Sequence, residues 1–235
     1  MIIQRSNLFS IKKYEKQFRD AGLAQGYESI RKISQLYLLR HSALNEIGTK
    51  LENLDDEYSA NFDHNPIHHM EERMKEPGSL LGKISRKQIP VDTNDLFGNI
   101  YDIAGIRVIT NYLDDIIKVR DALVKQSDVT VIKEKDYINH PKPNGYRSYH
   151  LIVSVPVFQD EGVQEAPVEI QIRTVGMDTW ASLEHDLRYK SFADQEKADQ
   201  YAAELAQYAN ALFGIEENMQ RIFTGLQSEN DEHQS

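Results

Sequence analysis

Ile30, Ile33, Tyr37, Leu44, Ile47, Leu51, Leu54 and Tyr58 recur at steps of three and four, with one gap of seven that Arg40 interrupts. That period predicts an amphipathic helix in the N-terminal third of the chain. Asn65-Pro66 breaks it, and residues 71–75 read as a short helix or turn ended by Pro77-Gly78. The period then changes. Asp102 opens an apolar, β-branched run to Thr110, which predicts a mostly buried strand. Residues 114–126 return to helical spacing through Ile116, Ile117, Val119, Leu123 and Val124. Residues 129–138, 146–157 and 168–173 read as strands, and residues 174–189 as a helix. Pro141 to Gly145 form a turn-rich loop, and Gly162 and Pro167 bound the loop between the last two strands.

The most regular repeat comes last. Tyr201, Leu205, Tyr208, Leu212, Ile215, Met219, Ile222 and Leu226 alternate at steps of four and three, a seam sustained for more than three heptads. It predicts a helix that packs back on its own domain or joins a second copy. The order of elements predicts an α+β fold, a mixed sheet flanked by N- and C-terminal helices. The expected divisions are a helical segment at 1–65, a core at 66–192, an amphipathic helix at 193–228 and a disordered tail at 229–235.

Composition narrows the chemistry. With 40% hydrophobic residues, the chain is ordinary for a globular protein. It has no cysteine, which removes disulfides, thiolate nucleophiles and Cys-ligated zinc. No apolar stretch reaches the roughly 18 residues of a membrane span, and Met1 to Arg5 does not read as a signal peptide, so a cytoplasmic protein is expected. The formal charge of −10 disfavours a broad nucleic-acid surface. Residues 191–235, however, hold nine acids against two bases, so −7 of the −10 sits there. Residues 71–87 run the other way, with five bases against three acids, as do residues 133–150, with four against two.

Those two basic stretches flank the polar strand faces. In 168–173, Val168, Ile170 and Ile172 share one face, while Glu169, Gln171 and Arg173 share the other. That polar face is either solvated or the floor of a site. Tyr146, Ser148 and His150 share a face in the strand before it; Tyr146 offers a π-face to a base, and nearby Lys142 a charge to phosphate. Asp102 at a strand end and Glu169 on the same sheet could together hold Mg²⁺, which takes hard oxygen ligands and shares its coordination with phosphates. Alone, Asp102 reads equally as a turn or cap residue. Arg73, Lys75 and Lys83, with the hydroxyl of Ser79, form a basic loop followed by Arg86 and Lys87, without the spacing of a P-loop. His64, His68 and His69 suggest a metal cluster, but Pro66 disrupts a helix there, and surface histidines are the preferred reading.

Four motifs stand in order: Arg73-x-Lys75-x3-Ser79-x3-Lys83; Asp102-Ile-Ala-Gly-Ile-Arg107; Lys142-Pro-Asn-Gly-Tyr146-Arg-Ser-Tyr-His150; and Glu169-Ile-Gln-Ile-Arg173-Thr. Met177 to Lys190, with Trp180 and His185, extends them. Together they resemble the RelA/SpoT synthetase family, and the short chain with its apolar last helix resembles the small alarmone synthetases. The resemblance implies a nucleotidyltransferase-like synthetase domain. It implies transfer of pyrophosphate from ATP to the 3′-hydroxyl of GDP or GTP, giving ppGpp or pppGpp and AMP. It implies Mg²⁺ on Asp102 and Glu169, with Glu169 as the base. ATP would lie on Arg73, Lys75, Ser79, Lys83 and Arg107; the acceptor would lie on Lys142, Asn144, Tyr146, His150 and Gln171. A homotetramer through the C-terminal helix is expected, and an allosteric alarmone or RNA ligand is compatible with the family. His185-Asp186 spells the dipeptide of the family's hydrolases, but the roughly 65 residues before the motifs are too few for that domain, so synthesis without hydrolysis is expected. Two alternatives remain: a toxic relative that pyrophosphorylates the 3′ end of tRNA, and a non-catalytic nucleotide or RNA sensor.

Overall fold

The computed structural model describes residues 27–76, 100–190 and 195–234 as continuous stretches, together with a few positions elsewhere, among them Ser79, Leu80, Gly82, Lys83 and Arg86. Of residues 1–26, Lys16 and Asp20 alone are described; the expectations for the rest of that segment, for Pro77-Gly78 and for Lys87 lie outside the described residues. The elements run α1 (Tyr27–Asn61), β1 (Ile67–Met74), β2 (Ala104–Thr110), α2 (Leu113–Val124), β3 (Thr130–Asp136), β4 (Tyr149–Gln159), β5 (Gly162–Thr174), α3 (Val175–Lys190) and α4 (Gln195–Gln234). The strands form one sheet in the order β1-β2-β5-β4-β3. Only β2 and β5 run parallel; the other pairs are antiparallel. The fold is α+β with a mixed sheet.

One face of the sheet is the core. Ala104, Ile106 and Val108 of β2, Leu151, Val153 and Val155 of β4, and Val168, Ile170 and Ile172 of β5 are buried there. Leu44, Ile47 and Leu51 of α1 and Ile116, Val119 and Leu123 of α2 cover them. Arg40, which interrupts the apolar row of α1, is also buried and donates from Nη1 to the carbonyl of Pro167 at 3.2 Å. Burial pulls its guanidinium down to about 10. About one turn earlier in α1, the Tyr37 hydroxyl donates to the carbonyl of Lys75 at 2.8 Å, which ties the helix to the end of β1.

The sequence and the structure differ at six places. The strand expected over 146–157 starts only at Tyr149, so Tyr146 and Ser148 lie in the loop before β4 and not on a strand face with His150. Residues 71–75 belong largely to β1, not to a helix or turn. Their Glu, Met and Arg suit a helix, but β2 provides an antiparallel partner in which Glu71 lies opposite Arg107, and tertiary pairing overrides propensity. Asp102 precedes its strand, in a turn; pairing starts at Ala104, opposite Met74. The loop between the last strands is only Asp160-Glu161, and β5 passes through Pro167. That proline is tolerated because β2 pairs with β5 only from Glu169 onward. His64 is not a surface residue: its Nε2 lies 2.8 Å from Asp115 Oδ2, and its ring packs against Phe223 of α4, apart from the contacting rings of His68 and His69. Finally, α4 continues as helix through residues 229–234, expected to be a tail, because neither glycine nor proline follows Gly225 to break it.

The seam of α4 also divides. Leu205 and Leu212 pack on Trp180 and Ala181 of α3, whereas Tyr201, Tyr208, Ile215, Met219, Ile222 and Leu226 are more than half exposed. A second row, Ala209, Phe213, Glu216, Gln220 and Phe223, faces the domain. Glu216 accepts from the Gly176 N–H at the start of α3 (2.9 Å), and Gln220 Oε1 accepts from the Asp114 N–H at the start of α2 (3.0 Å). One helix therefore caps two others from outside their own sequence.

Candidate active site

The strands turn their second face into a cleft, because alternate residues of a strand point to opposite sides. Register sets the rows: Gly105 and Arg107 of β2 lie beside Glu169 and Gln171 of β5, and Gln171 lies beside His150 of β4. At one end is a narrow recess lined by Arg73, Asp102, Gly105, Arg107, Glu169 and Gln171. It opens into a cleft of about 770 Å³, which shares Arg73, Arg107 and Gln171 and is walled by Lys142, Asn144, Tyr146, Arg173, Glu184 and His185. That volume suits a nucleotide-sized ligand.

The recess is organised by charge. Lys75 Nζ lies 3.0 Å from one Asp102 oxygen and Lys83 Nζ 2.5 Å from the other. Burial pushes the Asp102 carboxyl up, but the ammonium groups of Lys83 and Lys75 outweigh it and hold it below the ordinary carboxylate value. Glu169 is balanced in the same way. Burial and the Asp102 charge raise it, while hydrogen bonds from His150 (Nδ1 to Oε1, 3.3 Å) and Gln171 (Nε2 to Oε2, 3.3 Å) bring it below the ordinary value. Of the four carboxylates that line the recess, with Glu71 and Glu72 at its β1 side, Asp102 and Glu169 are thus close enough to feel each other's charge. Hard oxygens in that position fit a divalent cation that also binds phosphate.

The wider half is organised by rings. In the loop before β4, the Gly145 N–H donates to the Lys142 carbonyl (2.8 Å) and the Lys142 N–H to the Tyr146 carbonyl (3.1 Å). Gly145 sits at φ 89°, a conformation that favours glycine. This folds Lys142 back, with Nζ 4.2 Å from the Tyr146 ring centre and 4.8 Å from that of Tyr137. Asn144 accepts from the Tyr146 N–H (3.3 Å) and donates to Glu184 of α3 (3.1 Å).

Arg173, almost fully buried, links the two halves. It donates to the Tyr146 hydroxyl (2.7 Å), to Gln171 Oε1 (2.8 Å) and to Asp178 of α3 (3.1 Å). The Tyr146 hydroxyl also lies 2.8 Å from His150 Nε2. If the hydroxyl donates to Nε2, the histidine proton sits on Nδ1 and points at Glu169, which connects Arg173, Tyr146, His150 and Glu169 in one chain.

Of the residues expected from sequence, Arg73, Asp102, Arg107, Lys142, Asn144, Tyr146, Glu169 and Gln171 line the recess or cleft, and Lys75, Lys83 and His150 reach its carboxylates. Ser79 is exposed and does not line either. Arg107 is held from both sides, by Glu71 (3.0 Å) and Asp178 (3.3 Å). Asp178 was not legible as part of the site, since its two arginine partners come from β2 and β5. Arg173 was legible only as a third member of the polar face. His185 lines the cleft wall from α3.

The model of the region found in RelA/SpoT proteins matches residues 72–194, just over half of the chain. GTP pyrophosphokinase YwaC of Bacillus subtilis is 41% identical over 177 residues, which span 75% of this chain and 83% of that protein. YjbM, also a GTP pyrophosphokinase of B. subtilis, is 40% identical over 148 residues, 63% of this chain and 69% of the relative. Among solved structures, small alarmone synthetase 1 of B. subtilis bound to its product pppGpp superposes with a TM-score of 0.76 at 33% identity, covering 83% of this chain and 98% of that one. A GTP pyrophosphokinase family protein of Streptococcus pneumoniae gives 0.75 at 33% identity, covering 84% and 96%. The matched region contains all four motifs that build the cleft, and the chain belongs to the RelA/SpoT family.

Proposed function

We propose that the chain is a GTP/GDP pyrophosphokinase, which moves the β,γ-pyrophosphate of ATP to the 3′-hydroxyl of GDP or GTP and releases AMP. The observation that carries this reading is the single cleft in which a recess of paired carboxylates and lysines meets an aromatic, basic half, with Glu169 at the junction. The acceptor oxygen attacks the β-phosphorus, the bond from that phosphorus to the bridging oxygen of the α-phosphate breaks, and the hydroxyl proton passes to Glu169. A ribose hydroxyl is a weak nucleophile near neutral pH, so a carboxylate at hydrogen-bond distance accelerates its attack. Glu169 is held ionised and therefore able to accept that proton.

Lys75 and Lys83 would turn from Asp102 to the phosphates, since phosphoryl transfer depends mainly on alignment and charge. Arg73 and Arg107, on adjacent strands, would flank the adenine, and Tyr146 would stack the guanine. Lys142, Asn144, His150 and Gln171 would contact the rest of the acceptor. Asp102 and Glu169 would hold Mg²⁺, which supplies positive charge to the transferring phosphates. The exposed apolar row of α4 is the surface through which copies would associate into a tetramer.

Incubation with ATP, Mg²⁺ and, separately, GMP, GDP, GTP or bulk tRNA tests the reading. AMP and a 3′-pyrophosphorylated guanosine nucleotide are expected from GDP or GTP. Absence of AMP in every mixture overturns it, and label moving from ATP to tRNA would favour the toxin chemistry instead.

A further inference from the structure

The loop 142–146 is closed by its own hydrogen bonds, but its place against the domain is set from outside. Its underside rests on α4. A Cβ built on Gly145 would stand 2.6 Å from Ala209 Cβ and 3.0 Å from Ala206 Cα, so the loop backbone rests on the Ala209 methyl and the Ala206 backbone with no room for a larger side chain on either side. Tyr146 packs on a small cluster of Trp180, Ala181 and Ala209, which Leu205 and Leu212 complete. Trp180 Nε1 donates to the Leu205 carbonyl at 3.0 Å, locking α3 to α4 beneath the ring. Arg147, the next residue, closes the far side. Its guanidinium donates to the carbonyl of Ile138 and to Asn210 Oδ1 (3.1 Å), and lies 4.0 Å from the Phe213 ring centre.

The packing beneath Gly145 and Tyr146 and one arm of Arg147 come from α4; Arg173, Glu184 and the Ile138 carbonyl hold the loop from other elements. The recess at the other end of the cleft has a different frame: Lys75 and Asp102 are held by β1, β2 and α1. We propose that α4 positions the acceptor-binding loop, with Ala206 and Ala209 as the seat of Gly145 and Arg147 as the clamp, so that capture of the guanosine nucleotide, and not of ATP, depends on this helix. These are positioning residues, which touch neither substrate. The same helix carries the exposed apolar row on its other side, so its attachment to a second copy and its hold on the loop share one rigid element.

The inference rests on the assignment of loop 142–146 to the acceptor. Calorimetric binding of GDP and of a non-hydrolysable ATP analogue to the full chain separates the two ideas. If the unaltered protein binds no guanosine nucleotide, the functional reading fails first. Given that binding, Ala209→Leu fills the seat. It should weaken GDP binding and raise the GDP KM by about 10- to 100-fold, with the values for ATP changed by no more than about twofold. Ala209→Gly leaves the seat open and should keep GDP affinity, although glycine costs the helix about 1 kcal/mol relative to alanine. Arg147→Met should act as Ala209→Leu does, and serves if the leucine variant fails to fold. Unchanged GDP binding in a folded Ala209→Leu or Arg147→Met protein overturns the proposal. So does equal loss of both nucleotides, or equal loss of GDP binding in the glycine variant.

Discussion

The two ends of the cleft are built from different physics. The recess around Asp102 is held by short ion pairs among strands and the segment before β2, and its residues are charged and partly buried. The half around Tyr146 is held by packing, by one left-handed glycine and by a helix more than fifty residues later in the chain. Electrostatic pairs lose most when a charge is removed; packed seats lose most when a volume changes. Substitutions at the two ends should therefore fail in different ways.

The largest effect is expected where the ends meet. Glu169→Gln should lower kcat by about 10²- to 10⁴-fold, the usual contribution of a general base, and calorimetry should find both nucleotides still bound. Retained turnover would remove Glu169 from proton transfer. Tyr146→Ala should raise the GDP KM by about 5- to 150-fold, the equivalent of roughly 1–3 kcal/mol of base stacking, without a matching change for ATP. A change in the ATP value alone would reverse the assignment of the two halves. Asp102→Asn acts at the opposite end. It should raise the Mg²⁺ concentration for half-maximal rate by at least about tenfold, a loss that outer-shell partners of metals alone can cause. An unaltered Mg²⁺ dependence would place the metal elsewhere.

The smallest effect concerns pH. His150 is what offsets burial at Glu169, so the folded carboxyl lies below its ordinary value. Being ionised, Glu169 works above its folded pKa and loses activity as the pH falls through it. Removing the partner in His150→Ala should raise that pKa and move the acid limb of the kcat/KM profile to higher pH. A limb displaced to lower pH, or not displaced at all, would show that His150 does not act through Glu169.

Much of the recess was legible in the sequence because it rests on local alternation. Glu169, Gln171 and Arg173 share a face for the same reason that Val168, Ile170 and Ile172 share the core. What escaped depends on partners far along the chain. Residues 71–75 have helical composition and became a strand only because β2 lies beside them. Gly145 reads as a turn residue, and nothing near it announces Ala206 and Ala209. The regular apolar seam of α4 was plain, but its second row was not. Glu216 and Gln220 are polar, so they break the apolar pattern while serving as caps for α3 and α2. Pattern reading registers the face a helix leaves exposed as readily as the face it buries.

The clasp of Lys75 and Lys83 on Asp102 has one more consequence. Without substrate, the recess already carries its own counter-ions, and entry of a polyphosphate exchanges one set of ion pairs for another. Few solution ions need to be released at that end. Lys142, exposed and resting on tyrosine rings, has no such carboxylate partner among the described residues, so its attraction for an incoming phosphate is open to screening by salt. Rising ionic strength should accordingly tell first on how the guanosine nucleotide arrives, and only later on how ATP is held.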